Sequence, residues 1–193
     1  MKTRRTHVAA GLLSALSLAC CAGLAGCGNS QPGSGSGSVP DGWGTLETKG
    51  VSVAYPKGYD EWSAAERGRH NAAAAGRAEG GRTVSVITVQ LGFTQANSAE
   101  QAAIAAEAGI QMGARVEGQR EVELAGTDEA RRIDFTFKAT GEDGGPPRGT
   151  PVEGVILTGL DSSDTAFAVR VDAARGELSD GDLERIVESV EVR

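Results

Sequence analysis

Three kinds of side chain in this sequence could do chemistry: the thiol of Cys27, the imidazole of His70, and carboxylates set in close pairs. Cys27 stands in "LAGCGNSQPGSGSGS", at the seam between an apolar segment and a Gly/Ser tract. The other two cysteines, Cys20 and Cys21, lie inside the apolar segment. Loss of that segment leaves Cys27 with no partner for an internal disulfide or a cysteine metal cluster. His70 sits in "RGRHNAAAAG", and the second histidine, His7, is close to the N-terminus. A Ser, His, Asp hydrolase would have to form around His70, yet no Gly-x-Ser-x-Gly elbow accompanies it. A general base also needs a supporting partner. Glu142-Asp143 and Asp161 to Asp164 fall in turns, where Asp and Ser bond to nearby backbone. Asp180-Gly181-Asp182 lacks the remaining ligands of a calcium loop and reads as a helix cap. There is no phosphate loop, dinucleotide fingerprint or zinc spacing. No cofactor and no metal are expected, and catalysis is confined to the alternative of an envelope hydrolase using His70 with a carboxylate.

The N-terminal residues have the order of a secretory signal: Lys2, Arg4 and Arg5, then "HVAAGLLSALSLACCAGLAG" with a small-residue exit. A membrane span is the rival. The run from Val8 to Gly26 reaches the roughly 18 residues at which a span becomes conceivable. It is diluted by Gly11, Ser14, Ser17, Gly23 and Gly26, and Gly and Ser follow it rather than a basic stop-transfer cluster. Leu24-Ala25-Gly26-Cys27 resembles the bacterial lipobox. The resemblance implies cleavage between Gly26 and Cys27 and a diacylglyceryl thioether on the Cys27 sulfur, with further acylation, such as palmitate, on the new amino terminus. Residues 1–26 are then a lipoprotein signal peptide, residues 27–44 the lipidated cysteine and a flexible linker, and residues 45–193 a single domain. Gly28 to Ser38, about 11 residues of coil, would reach roughly 18 Å root-mean-square. The expected location is the outer face of the cell membrane, with membrane lipid as a partner through acylated Cys27. Arg4-Arg5 leaves twin-arginine export open beside the general secretory route.

Charge and composition narrow the remaining partners. The chain carries a net −7; once Lys2, Arg4 and Arg5 are set aside, 16 basic residues face 26 acidic ones, a net of −10. Such a surface repels nucleic acid and anionic headgroups. Only 4% of residues are aromatic, so the core must be built from Val, Ile, Leu and Ala. Arg in excess of Lys, with abundant Ala, Gly, Val and Asp, reads as a genome rich in G and C, such as an actinobacterial one.

About six strands carry the periodicity. "KGVSVAYPKGYDEW" sets Val51, Val53 and Tyr55 on one side of a strand that Pro56 ends. "RTVSVITVQLGF" is apolar on both faces, as a central strand would be. A short helix near Asp60 to Arg67 and a mobile glycine-interrupted segment are expected between them. Ser98 caps a helix whose inner face would be Ile104, Ala105, Ala108 and Met112. "QREVELAG" and "EARRIDFTFKAT" follow, the second with Ile133, Phe135 and Phe137 on one face. "TPVEGVILTGL" and "TAFAVRVDA" form a hairpin across Asp161 to Asp164, and Ser179 caps a final amphipathic helix carrying Leu183, Ile186, Val187 and Val190. The fold class is α+β: an antiparallel sheet of about six strands with helices packed on it.

This order, with "VSVAYPKGY" at the start and "LERIVESVEV" at the end, resembles the PsbP-like fold and in particular the actinobacterial LpqN-type lipoproteins. Pro56-Lys57-Gly58-Tyr59 stands where the family motif often has Trp as its aromatic. The resemblance covers roughly Thr45 to Arg193. It implies an α/β/α sandwich and binding or assembly roles rather than catalysis. The reading is a lipid-anchored, non-catalytic, monomeric binding module for an envelope protein or small ligand. Trp43, Tyr55, Tyr59 and Trp62 cluster early in the chain, where residues flanking a first strand favour a core role. A groove would instead make Tyr55, Tyr59, Trp62 and His70 the candidate binding patch.

Overall fold

A computed structural model describes residues 39–193 apart from 111 and 143. The signal, Gly26, Cys27 and most of the linker lie outside the described residues. Among the described residues the architecture is α+β, with ten strands in two antiparallel sheets and two helices. Four strands exceed the expected six: β1 (Gly44–Glu47), β3 (Asp60–Glu61), β4 (Ala73–Glu79) and β10 (Glu191–Val192). The others are β2 (Val51–Tyr55), β5 (Arg82–Leu91), β6 (Arg115–Leu124), β7 (Thr127–Lys138), β8 (Pro151–Leu160) and β9 (Ala166–Ala174). The large sheet has the order β3-β4-β5-β9-β8-β7-β6, and the small one β1-β2-β10.

The alanine-rich stretch after His70 is a strand, not a mobile segment. Gly80 and Gly81 both take positive φ, 57° and 77°, the geometry of a two-residue hairpin turn. They return β4 onto β5, so Ala74 pairs with Thr88 and Gly76 with Val86. Residues 60–67 are not a helix either. Asp60 and Glu61 add to the edge of β4, and Ser63 O then accepts from Glu66 N and Arg67 N in a single turn.

One face of the large sheet carries Ser85, Ile87, Val89, Phe167, Val169, Val155, Leu157 and Ala130. The small sheet and α2 (Asp180–Glu188) bury it, with Val51, Val53, Ile186 and Val190 fully inside. Arg132 pins this layer: 5% exposed, it donates from Nε to Asp134 and from a terminal nitrogen to Glu184 of α2 at 2.8 Å. Ser179 caps α2 by accepting from Asp182 N. The chain runs past this helix into β10, where Val192 pairs with Val51.

The opposite face is covered in two parts. α1 (Ala99–Ala108), capped by Ser98, lies over Ile133, Phe135, Ile156 and Ala168. Its buried residues are Ala99, Ala102, Ala103 and Ala106; Ile104 is 63% and Met112 97% exposed, so the inner face is not the expected one. Small side chains let the helix axis approach the sheet, and that close approach outweighs burial of the two larger residues. β5 is an interior strand, as expected, but only one of its faces is fully buried; β9, the middle of the seven, is buried along nearly its whole length.

Candidate functional site

The part of this face that α1 leaves uncovered holds the candidate site. The loop from Ala139 to Thr150 crosses it and is tied down on β5: Thr83 N donates to Gly144 O at 2.8 Å, and Arg82 donates to Gly145 O at 3.1 Å. Trp62 closes the other side. Its backbone N–H donates to Ala74 O, and its ring lies on Gly76, where a Cβ would sit 2.6 Å from Cζ2. Only glycine at that position lets the indole rest flat against the sheet. Between roof and floor is a cavity of about 210 Å³, walled by Trp62, Val84, Val86, Phe137, Pro146 and Val152.

A carboxylate stands in this apolar enclosure. Asp172 of β9 points to the same side as Val86 and Gly154, its strand partners. Both of its oxygens accept from Arg170 Nε, at 3.0 and 2.9 Å. The Arg170 guanidinium lies over the Phe135 ring, 5.0 Å from its centre, and Phe135 stacks on Phe137 at 6.1 Å. Gly154 makes room for all of this, since a Cβ there would meet the Phe135 ring at 2.3 Å and Asp172 Oδ1 at 2.8 Å. Arg170 and Asp172 side chains retain 26% and 18% of their exposure. Burial raises the Asp172 carboxyl above the usual carboxylate range, and Arg170 opposes the rise.

That shift has a measurable sign. Wherever folded Asp172 holds a proton that the unfolded chain has already lost, stability falls as pH rises. Asp172→Asn removes this dependence. The unfolding free energy of the wild type relative to the variant is therefore expected to decline as pH rises above the unfolded aspartate's value of about 4. Urea unfolding of both proteins across that range checks it, and a constant difference would contradict it.

The four residues of the sequence-predicted patch do not come together as one surface. Tyr59 is 7% exposed in the core of the opposite face; its hydroxyl donates to Ser85 Oγ, which donates to Asp172 O. Tyr55 packs beside it at 6.4 Å, and its hydroxyl donates to Glu61 at 2.9 Å. Burial raises both phenols above their ordinary value. His70 is exposed in a turn, and its Nε2 accepts from Arg69 Nε at 3.0 Å. The hydrolase alternative needs Nε2 free to take a nucleophile's proton, and the Arg69 donor occupies it. Trp62 alone of the four lines the cavity, with Asp172 and Phe137 as residues the sequence reading did not single out. Their signal was the spacing of Arg170 and Asp172 within "AFAVRVDAA", a charged pair on one face of an otherwise apolar strand.

A second cavity of about 220 Å³ lies on the other face, between Asp134, Glu153, Leu178 and Leu183. Three of the four acids lining it are ion-paired, Asp134 with Arg120 and Arg132, Glu153 with Arg175 and Glu117 with Arg115. Among the described residues, no three His, Cys, Asp or Glu side chains converge as a metal site.

Fold and site together define a two-sheet α+β domain with a half-open apolar cavity beside a half-buried carboxylate. No family model matches the sequence, and no curated protein matches it closely. Among solved structures, the chain is similar to a protein of Bacteroides thetaiotaomicron, with TM-score 0.44 and 13% identity over 74% of this chain; it spans only 45% of that protein. It is also similar to the Ran-binding protein Mog1p of Saccharomyces cerevisiae, with TM-score 0.47 and 11% identity over 78% of this chain and 95% of that one. A third is the cyanobacterial PsbP of Synechocystis, with TM-score 0.48 and 8% identity over 84% of this chain and 99% of that one.

Proposed function

We propose that this chain is an extracytoplasmic lipoprotein, held on the outer face of the cell membrane by an acylated Cys27, whose domain binds a small ligand rather than catalysing a reaction. The binding half rests on one observation, the half-open cavity that sets Asp172 among apolar and aromatic walls; an apolar lining with few polar groups suits a ligand, and about 210 Å³ suits one smaller than the usual drug-sized molecule. The anchoring half rests on Leu24-Ala25-Gly26-Cys27 at the end of the apolar segment.

The two halves fit geometrically. Val39, where the tether enters the domain, lies beside Ala125, Glu191 and Arg193. The cavity roof is at the other end of β7, whose 12 residues span roughly 40 Å at about 3.3 Å each. The tether therefore enters the domain at the end remote from the cavity roof.

Mass spectrometry of the mature protein from a secreting host tests the anchoring reading. The expected N-terminal peptide begins at Cys27 and carries a diacylglyceryl group, and the protein leaves the membrane fraction with detergent but not with salt. An unmodified Cys27, or a chain retaining residues 1–26, would overturn it.

A further inference from the structure

The ligand reading can be carried to a chemical class. The charged residues lining the cavity are Asp172, at its floor, and Glu142, in its roof. Arg170, which neutralises Asp172, approaches from the Phe135 side and is not part of the lining. An entering molecule therefore meets carboxylate oxygens and no guanidinium. Each Asp172 oxygen accepts one hydrogen bond, from the same Arg170 nitrogen, and a carboxylate has about four acceptor positions. Spare acceptor capacity at a half-closed site gains from a donor that the ligand brings. The indole of Trp62 and the ring of Phe137 line the same cavity, and aromatic faces attract cations. Val84, Val86, Pro146 and Val152 complete a wall that takes an apolar body.

Resting on the reading of this cavity as a ligand site, we infer that its ligand is an organic cation: a small apolar molecule bearing one ammonium group, which donates to Asp172 between Trp62 and Phe137. The apolar body fills the valine-lined part of the cavity, whose roof carries Glu142 and Pro146. An isosteric anion is refused, since it would place like charges together where solvent screens them poorly.

The test uses the full chain in detergent, carrying Trp43→Phe so that Trp62 alone reports. Trp43 packs at the edge of the core and an aromatic replaces it; thermal unfolding confirms that the fold persists. The probes are 2-phenylethylamine, 2-phenylethanol and phenylacetate, matched in size, titrated at neutral pH. A Val86→Phe protein, its cavity filled, supplies the background from detergent partition. The expected result is binding of the amine at least about tenfold tighter than that of phenylacetate, with the alcohol between them. In Asp172→Asn that preference is expected to shrink to roughly threefold or less, while the alcohol still binds. Equal binding of all three probes, or tighter binding of phenylacetate, overturns the cation assignment and leaves the ligand site standing. If no probe perturbs Trp62 beyond the Val86→Phe background, the cavity is not a ligand site and both readings fall.

Discussion

Phe135→Ala is expected to lower the unfolding free energy by about 3–5 kcal/mol, the range for removing a buried phenyl ring. The ring is 1% exposed and packs among Ala103, Ala106, Ile133, Ile156 and Ala168. Most of those neighbours are too small to reach into the space it leaves. Gly154 makes the site still harder to collapse, because the ring occupies the volume a Cβ would fill. The upper half of the range is therefore expected, and it is a large share of the roughly 5–15 kcal/mol that holds a domain together. Arg170 also loses the aromatic face on which its guanidinium lies. The double substitution separates these effects. Gly154→Ala alone should destabilise by about 1–3 kcal/mol through overpacking against the ring. Beside Phe135→Ala, the new methyl enters vacated space, and the two costs should fall short of their sum by at least about 1 kcal/mol. Urea unfolding reads all three proteins, with Phe135→Leu as the milder variant if Phe135→Ala does not fold. A cost below about 1 kcal/mol for Phe135→Ala, or strict additivity, would show that the ring is not the wedge between helix and sheet.

Much of the frame was legible because local signals and tertiary demands agree along it. Ile133, Phe135 and Phe137 alternate in a strand that does bury that face, and Asp161 does make the turn between β8 and β9, accepting from Ser163 N and Thr165 N. Ser98 and Ser179 cap the two helices. Errors arise where composition and context compete. In Ala73–Glu79 alanine favours helix, but the Gly80-Gly81 turn and ten residues of β5 offer a ladder that four scattered glycines deny to a helix. On α1 the pattern selected its largest apolar residues, whereas the sheet required its smallest. The site divides along the same line. Trp62 drew notice as an aromatic. Asp172 did not, because an acid alternating with valine reads as a surface position until both faces of the strand prove covered. Tyr55 and Tyr59 are near Trp62 in sequence, but the chain crosses the sheet edge at β3 between them, which sends their rings to the other layer.

Cys27→Ser is expected to reduce incorporation of labelled acyl groups to background and to leave residues 1–26 attached. The substitution keeps the size and polarity of the position nearly constant and removes only the thiol nucleophile that a thioether requires. Its effect on membrane retention is less direct. The uncleaved segment from Val8 to Gly26 is itself apolar enough to hold the chain at the bilayer, so the pellet fraction alone does not discriminate. Acyl label and N-terminal mass do. The expected contrast is large because each buried methylene of an acyl chain contributes about 0.8 kcal/mol, and two chains convert reversible contact into stable anchoring. A double substitution removing that residual hydrophobic hold, Cys27→Ser with Leu13→Arg, would be expected to block export rather than yield a soluble envelope protein, since a charge breaks the apolar middle that the secretory route reads. Acyl label persisting on Cys27→Ser would place the lipid elsewhere.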